Sequence, residues 1–323
     1  MRFAYVMDPL ERLLPDKDTT FAIVRAAQAR GHEALHVEPR DLFVEGGDLY
    51  AYASRLSLSR DPPHHALGPR EAIKVAETQG VLIRKDPPFD QAYLYATLLL
   101  ERVRNRTTLV NDPRGLREAN EKLYTLHFSR HTPMTWVGAN RDAIVSFMSA
   151  VGGRAVIKPL DGAGGAGVMR LSEGDKNNRC IIDLLTREGT SAVLVQEYLE
   201  DVVRGDKRVL LLDGRILGAI NRVPREDDLR SNIHVGGRVE PCRVTARERD
   251  VVEDIAPRLR ADGLVFVGLD FIGERLTEIN VTSPTGIQEL SKHEGRDVAA
   301  DVVEWLEKKA EELRPVLRSI PAG

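Results

Sequence analysis

The chain has 323 residues, a formal net charge of -3 built from 46 basic and 49 acidic residues, and two cysteines. That length exceeds one ordinary core and predicts two or three folding units, and the near balance of charge excludes polyanion binding as the main business, so nucleic acid is not expected as a partner. Cys180 and Cys242 are too few for a disulfide framework, lack metal-ligand spacing and read as reduced thiols.

In chain order, Phe3 to Met7 predicts a buried strand, Thr19 to Arg30 a helix with Asp18 as N-cap and Gly31 as its stop, and Ala34 to Val37 a second strand. The apolar run in MRFAYVMD stops at Asp8, too short for a secretory signal, and no later run approaches membrane-spanning length. A cytoplasmic protein that avoids the membrane is expected. Strands over Val81 to Ile83 and Thr108 to Val110, each followed by polar and proline punctuation, and a helix over Leu116 to Phe128 complete an α/β domain assigned to residues 1–121. Residues 122–199 predict a small two-layer α+β unit: a strand in RAVIKPL, a glycine-rich turn, a strand in VMRL, a helix near Ile181 to Arg187 and a strand in AVLVQEYL. Residues 200–323 carry an Asp-Gly hairpin in RVLLLDGRILGAI, a charged segment, a helix over Ala246 to Ala261, another hairpin and a terminal helix from Asp297 to about Leu313.

KPLDGAGGAGVMRL satisfies the G-x-G-x-x-G dinucleotide spacing with Gly162, Gly164 and Gly167, and Asp183 follows where a ribose-binding acid is wanted. The fingerprint requires a helix directly after the glycines, whereas Val168 to Leu171 predicts a strand. No Gly-Lys-Ser/Thr follows, which excludes a Walker A loop. There remains a glycine loop joining two antiparallel strands, with Lys158 at the end of the first. Glycine backbone lets N–H groups approach an anion and the lysine adds a point charge, so phosphate binding is favoured over a plain hairpin turn.

In VGLDFIGERLTEIN, a three-residue turn at Gly273, Glu274 and Arg275 would set Ile272 against Leu276 and Asp270 opposite Glu278, with Asn280 on the same face. Two carboxylates so placed call for a cation, and hard oxygen ligands suit Mg²⁺. A two-residue turn would instead send Asp270 to the other face and remove the site.

Lysine before a glycine hairpin loop, a hydrophobic Gln-Glu-x-Leu segment and a late D…E-x-N constellation resemble the ATP-grasp superfamily. More narrowly, the chain resembles the bacterial glutathione synthetase family along nearly its whole length. The matching stretches are VMDP with DTTFA, RKDPPFD at Arg84 to Asp90, NEKL at Asn120 to Leu123, KPLDGAGGAGV, GDKRVL at Gly205 to Leu210, GGR at Gly236 to Arg238, and FVGLDFIGERLTEINVTSPTG at Phe266 to Gly286.

The resemblance implies an ATP-grasp fold of α/β and α+β parts: an N-terminal Rossmann-like substrate domain, a small lid subdomain with the glycine loop, and a C-terminal subdomain with the metal and substrate site. It implies ATP phosphates on Lys122 and Lys158, closed over by Gly162, Gly164, Gly165 and Gly167. Glu197 and the Leu199 backbone would hold adenine, and Asp206 the ribose. Asp270, Glu278 and Asn280 would ligate Mg²⁺, with Mn²⁺ as a substitute. Arg208, Arg222 and Arg238 would act on the reacting groups, and Arg84, Asn232, Ser283 and Thr285 would bind the peptide substrate, arginine suiting carboxylates by its planar fork. The implied reaction joins γ-glutamylcysteine to glycine through an acyl phosphate in a homotetramer, with REDDLRSNIHVGGR as a closing lid. Glu226, Asp227 and Asp228 stand there where the family pattern is more glycine-rich. A sister ATP-grasp ligase acting on D-alanine or glutamate, a nicotinamide oxidoreductase and a noncatalytic nucleotide-binding regulator remain as alternatives.

Overall fold

The computed structural model describes residues 1–224 and 238–318. The apolar run at the start of the chain forms β1 (Arg2–Val6), which pairs in parallel with β2 (Glu33–Val37) through the crossover helix α1 (Thr19–Ala29). Asp18 caps α1, its carboxylate accepting from the Phe21 amide at 2.8 Å. Three antiparallel strands follow, β3 (Leu42–Glu45), β4 (Asp48–Leu58) and β5 (His65–Lys74). The sequence reading did not find them. No residue of β5 is fully buried, so the strand carries no apolar face to mark its period. β6 (Gly80–Ile83), α2 (Gln91–Leu100), β7 (Thr108–Val110) and α3 (Pro113–Glu118) complete a seven-stranded sheet ordered β3-β4-β2-β1-β6-β7, with β5 on the far side of β4.

The helix expected over Leu116 to Phe128 is broken. It ends at Glu118, and a separate 3₁₀ turn spans Leu123–Phe128. Between them the Asn120 side chain accepts from the amides of Lys122 and Leu123, both at 3.1 Å, taking donors that helical carbonyls would otherwise use.

A second sheet, antiparallel and ordered β10-β9-β11-β8, comprises β8 (Thr135–Gly138), β9 (Arg154–Pro159), β10 (Met169–Ser172) and β11 (Val193–Glu197), with α4 (Arg141–Ala150) and α5 (Asn178–Thr186) packed on it. The third, ordered β14-β13-β12-β15-β16, contains β12 (Asp206–Leu212), β13 (Arg215–Val223), β14 (Arg238–Pro241), β15 (Phe266–Ile272) and β16 (Arg275–Asn280). Asp213 and Gly214, both at positive φ, make the two-residue turn between β12 and β13. Helices α6 (Ala246–Ala261), α7 (Ile287–Glu294) and α8 (Val298–Arg318) complete this region, α6 opened by a Thr245–Glu248 capping box.

The cores do not follow the chain in order. Two apolar clusters each combine first-region and last-region residues: Val81, Leu100 and Leu116 with Val209, Ile255 and Leu269 in one, and Phe3, Tyr5 and Leu82 with Leu210, Phe266 and Leu306 in the other. Asn111, at the end of β7, clamps them together. Its Oδ1 accepts from the Val265 and Phe266 amides, both at 2.7 Å, and its Nδ2 donates to Phe266 O and Val281 O at 2.9 and 2.6 Å. The second sheet has a core of its own, centred on Ile144, Ile157, Ile182 and Val195.

Candidate active site

The hairpin β15–β16 reaches the expected register by an unexpected route. Its turn has two residues, Gly273 and Glu274, both at positive φ, and Ile272 pairs with Arg275. The expected three-residue turn is therefore wrong. The pairing then slips: Phe271 faces Leu276 and Asp270 faces Glu278, leaving Thr277 as the extra residue of a β-bulge. The Thr277 hydroxyl donates to Asp270 O at 3.1 Å across the bulge. That one residue restores the face that a regular two-residue hairpin would have lost, and Asp270, Glu278 and Asn280 stand together, with Asn280 Nδ2 donating to Asp270 Oδ2 at 3.0 Å.

Neighbouring strands bring cations to this face. From β12, Arg208 donates Nε and Nη2 to the two Asp270 oxygens at 2.7 and 2.6 Å; from β13, Arg222 Nη2 lies 3.0 Å from Asp270 and 2.5 Å from Asp206. Burial alone would raise the Asp270 carboxyl, but the two guanidinium groups overcome it and hold the group at about 2. Asp206 behaves oppositely. Burial, reinforced by the negative charges of Asp270 and Glu278, pushes it up to about 6 even beside Arg222. Lys158, on β9 of the second sheet, reaches across to within 3.6 Å of Glu278. Lys122 Nζ, also buried, donates to Glu121 and to the carbonyl of Gly162. Burial, and then the charge of Glu278, raises the Glu121 carboxyl.

The glycine loop joins β9 to β10 as an antiparallel connection, with Met169 opposite Ile157. A strand follows it, as the phosphate-loop reading requires and a dinucleotide fingerprint does not. Gly162 and Gly167 flank Pro159, and a Cβ on either would come within 2.9 Å of that ring, so larger residues could not fold the loop back on its strand. Gly164 and Gly165 both have positive φ. Gly164 lines a charged cavity of about 380 Å³ with Arg84, Arg208, Arg222, Glu278, Asn280, Ser283 and Thr285.

Behind Lys158 lies a smaller slot of about 120 Å³, walled by Val156, Val168, Met169, Leu199, Val202 and Ile272. Its polar lining includes Lys158, Arg170, Gln196, Glu197, Asp206 and Glu278, and Glu197 Oε1 accepts from the Met134 amide at 3.1 Å. A mostly apolar slot with carboxylates and a lysine among its lining groups has the chemistry of a purine nucleotide site.

Arg84 is buried at the far wall of the charged cavity, with Nε donating to Thr20 Oγ1 at 3.1 Å and Nη2 to Pro284 O at 3.0 Å. Arg238 is not brought in: it starts β14, its side chain is 76% exposed, and it pairs with Glu240. Asn232 and nearly all of the expected lid lie outside the described residues. Glu278 and Asn280 present oxygen donors that suit Mg²⁺, whereas both Asp270 oxygens here accept from Arg208, a pairing that would have to yield for Asp270 to ligate the ion. Two carboxylates and an amide would leave coordination positions for waters and phosphate oxygens, as Mg²⁺ prefers. Neither cysteine lines these cavities, and burial pushes the Cys242 thiol up to about 11. Sequence reasoning missed Glu121 and Glu289, which also line the charged cavity. Glu121 stands beside Lys122 in NEKL, but adjacency in sequence does not show which side chain faces a cavity.

Two domains of one family account for most of the chain. The prokaryotic glutathione synthetase N-terminal domain matches residues 1–117, and the ATP-grasp domain of the same family matches residues 121–295. This chain belongs to the prokaryotic glutathione synthetase family. Glutathione synthetases of Synechocystis sp. and Gloeobacter violaceus are 42% and 44% identical to it, covering 96% and 98% of this chain and 100% and 99% of their own lengths. That of Agrobacterium fabrum is 42% identical over 95% of this chain and 96% of its own. Among solved structures, D-cycloserine synthetase DcsG superposes with a TM-score of 0.65 at 17% identity, over 97% of this chain and 100% of that one. The ATP-grasp ligase PsnB, bound to a minimal precursor, superposes at 0.64 and 20%, over 95% and 98%. Both share the fold of this chain.

Proposed function

We propose that the protein is a glutathione synthetase, an ATP-dependent ligase that joins γ-glutamylcysteine to glycine and releases ADP and phosphate. The full-length match to glutathione synthetases at about two-fifths identity carries this reading. A free carboxylate does not form an amide unaided in water, so the cysteinyl carboxylate first takes the γ-phosphoryl group, giving an acyl phosphate that the glycine amine then attacks. Phosphoryl transfer asks for alignment and charge neutralisation rather than a protein nucleophile, and the cavity offers lysines, arginines and oxygen donors.

Adenine occupies the apolar slot between Glu197 and Leu199, with Asp206 toward the ribose. Lys122 and Lys158 meet the phosphates under the loop from Gly162 to Gly167. Asp270, Glu278 and Asn280 would hold Mg²⁺, which would supply positive charge to neutralise the phosphates; Mn²⁺ would suit the same oxygens. Arg208 and Arg222 stand beside the reacting carboxylate, while Arg84, Ser283 and Thr285 bind the dipeptide at the far wall. The family resemblance carries the expectation that Asn232 binds the dipeptide, and Arg238 would have to leave its pairing with Glu240 to act on the reacting groups. Among the described residues no helix is long and apolar enough to cross a membrane, in keeping with a cytoplasmic enzyme. The family resemblance carries the expectation of a homotetramer.

ADP release should require both γ-glutamylcysteine and glycine; release driven by D-alanine or glutamate acceptors would reassign the chain to a sister ligase. Asp270→Asn should raise the Mg²⁺ concentration needed for half-maximal rate, and superimposable metal titrations would remove Asp270 from the metal site.

A further inference from the structure

Asn120, Glu121 and Lys122 lie in the body built on the first and third sheets and reach across to the second. On the body side, the flanking Ala119 and Tyr124 belong to the first of the two shared apolar clusters. Glu121 O accepts from the amide of Ile279 at 2.9 Å, on β16 between Glu278 and Asn280. On the other side, Asn120 Nδ2 donates to Leu160 O at 2.9 Å, where β9 gives way to the glycine loop, and Lys122 Nζ donates to Gly162 O two residues further on. The Asn120 amide has one workable orientation: its Oδ1 accepts from the Lys122 and Leu123 amides, so Nδ2 is the group left for a carbonyl.

The two contacts on the loop are not equivalent. A phosphate arriving under the loop is a stronger partner for an ammonium group than a peptide carbonyl is, so the Lys122 contact is one that a nucleotide can exchange. The Asn120 amide is neutral and its three partners are backbone groups, so a phosphate offers it no comparable gain. If both contacts were lost together, the nucleotide alone would have to order the loop, at the conformational cost of every residue fixed. We propose that Asn120 is a positioning residue that serves as the pivot of the glycine loop, holding Leu160 at the base of the loop while Lys122 releases Gly162 and turns to the phosphates. The same side chain sets Lys122 by capping its amide, and Glu121 O ties the segment to the strand of Glu278 and Asn280. Loop, lysine and carboxylate face thereby keep one register.

This pivot takes its nucleotide from the ligase reading above, and the two can fail separately. Asn120→Asp keeps oxygens for both amides but loses the donor and sets a carboxylate against Leu160 O; Asn120→Ala loses cap and tether together. In nucleotide-free protein, hydrogen exchange at residues 161–167, pulsed for milliseconds to resolve loop amides, should speed up in both variants and stay parental in β9 and β11. The KM for ATP should rise about five- to fiftyfold in Asn120→Asp, the range expected when a carbonyl loses its donor, while the KM for γ-glutamylcysteine stays near parental. In the parent, the Asn120 side-chain amide protons should remain slow to exchange when a nonhydrolysable ATP analogue and Mg²⁺ are added. Loss of that protection on nucleotide binding would overturn the pivot, even if both variants fail to fold. So would parental loop exchange with a parental KM for ATP in folded Asn120→Asp, and so would equal rises in both KM values, which mark general loosening. ADP release by the parent that does not depend on γ-glutamylcysteine and glycine would overturn the ligase reading and leave the pivot to be decided by the exchange measurements.

Discussion

The second sheet with its two helices and the remainder of the molecule are built on different plans. The remainder is a fusion: strands from the first and last thirds of the chain share two apolar clusters, and Asn111 and Arg84 carry hydrogen bonds between them. The smaller unit keeps its apolar residues to itself. Lys158 and the glycine loop sit on the smaller unit, and the carboxylate face sits on the fused body, so the phosphates of a nucleotide would be gripped between two parts with separate cores. A unit that shares no core with its neighbour can shift as a body at little cost, whereas the fused part must keep its arginines and carboxylates in register.

Four substitutions would break or sharpen this contrast. Asn111→Ala should have the largest effect, about 3 kcal/mol or more in urea unfolding, because buried amides and carbonyls on two strands lose their partner together. A loss below 1 kcal/mol would mean that the apolar clusters alone hold the body. Ile157→Ala should cost roughly 2–4 kcal/mol by opening a cavity in the smaller core. The loss should stay local: hydrogen exchange should speed up across residues 135–197 and remain parental in β1 and β6. Uniform loss of protection would show one cooperative unit rather than two. Lys158→Ala should remove about 1.5–3 kcal/mol of charge-assisted contact, or ten- to a hundredfold in rate, without changing the stability of the body. An unchanged rate would take the smaller unit's lysine out of the reaction.

The smallest effect belongs to Glu307 on α8, which pairs with Arg30 and His32 within the body. The hydrogen bonds from Arg30, with His32 contributing, hold its carboxyl at about 2, below the ordinary value of 4.5. The folded state therefore binds this proton less readily than the unfolded chain. The pair's stabilisation is present above about pH 4.5 and is lost as pH falls through 2. Solvent screening keeps it under about 1 kcal/mol, so Glu307→Gln should lower the melting temperature slightly at pH 7 and not at all near pH 2.

Where a residue type is demanded by chemistry, the sequence was a good guide. Asp18 caps its helix, Asp213 and Gly214 turn their hairpin, Lys158 precedes the glycine loop, and Asp270, Glu278 and Asn280 share a face. Where a feature depends on what packs against it, the sequence was poor. The exposed strand β5 has no face to bury, and Asn120 interrupts a helix whose apolar spacing runs on regardless. Asn120 and Glu121 lie among ordinary polar residues until the fold sets them between the glycine loop and β16.

The amino-acid order by itself determined several caps and turns, the glycine loop, the family and the inventory of charged groups, because caps and glycine loops are short-range effects that act through adjacent residues. Only the tertiary structure decided that the first and last thirds share their cores, that a bulge at Thr277 returns Asp270 to the face of Glu278 despite a two-residue turn, and which carboxylates neighbour which arginines. Those outcomes depend on strand register and burial, which are set by contacts between residues far apart in the chain, and no local spacing records them.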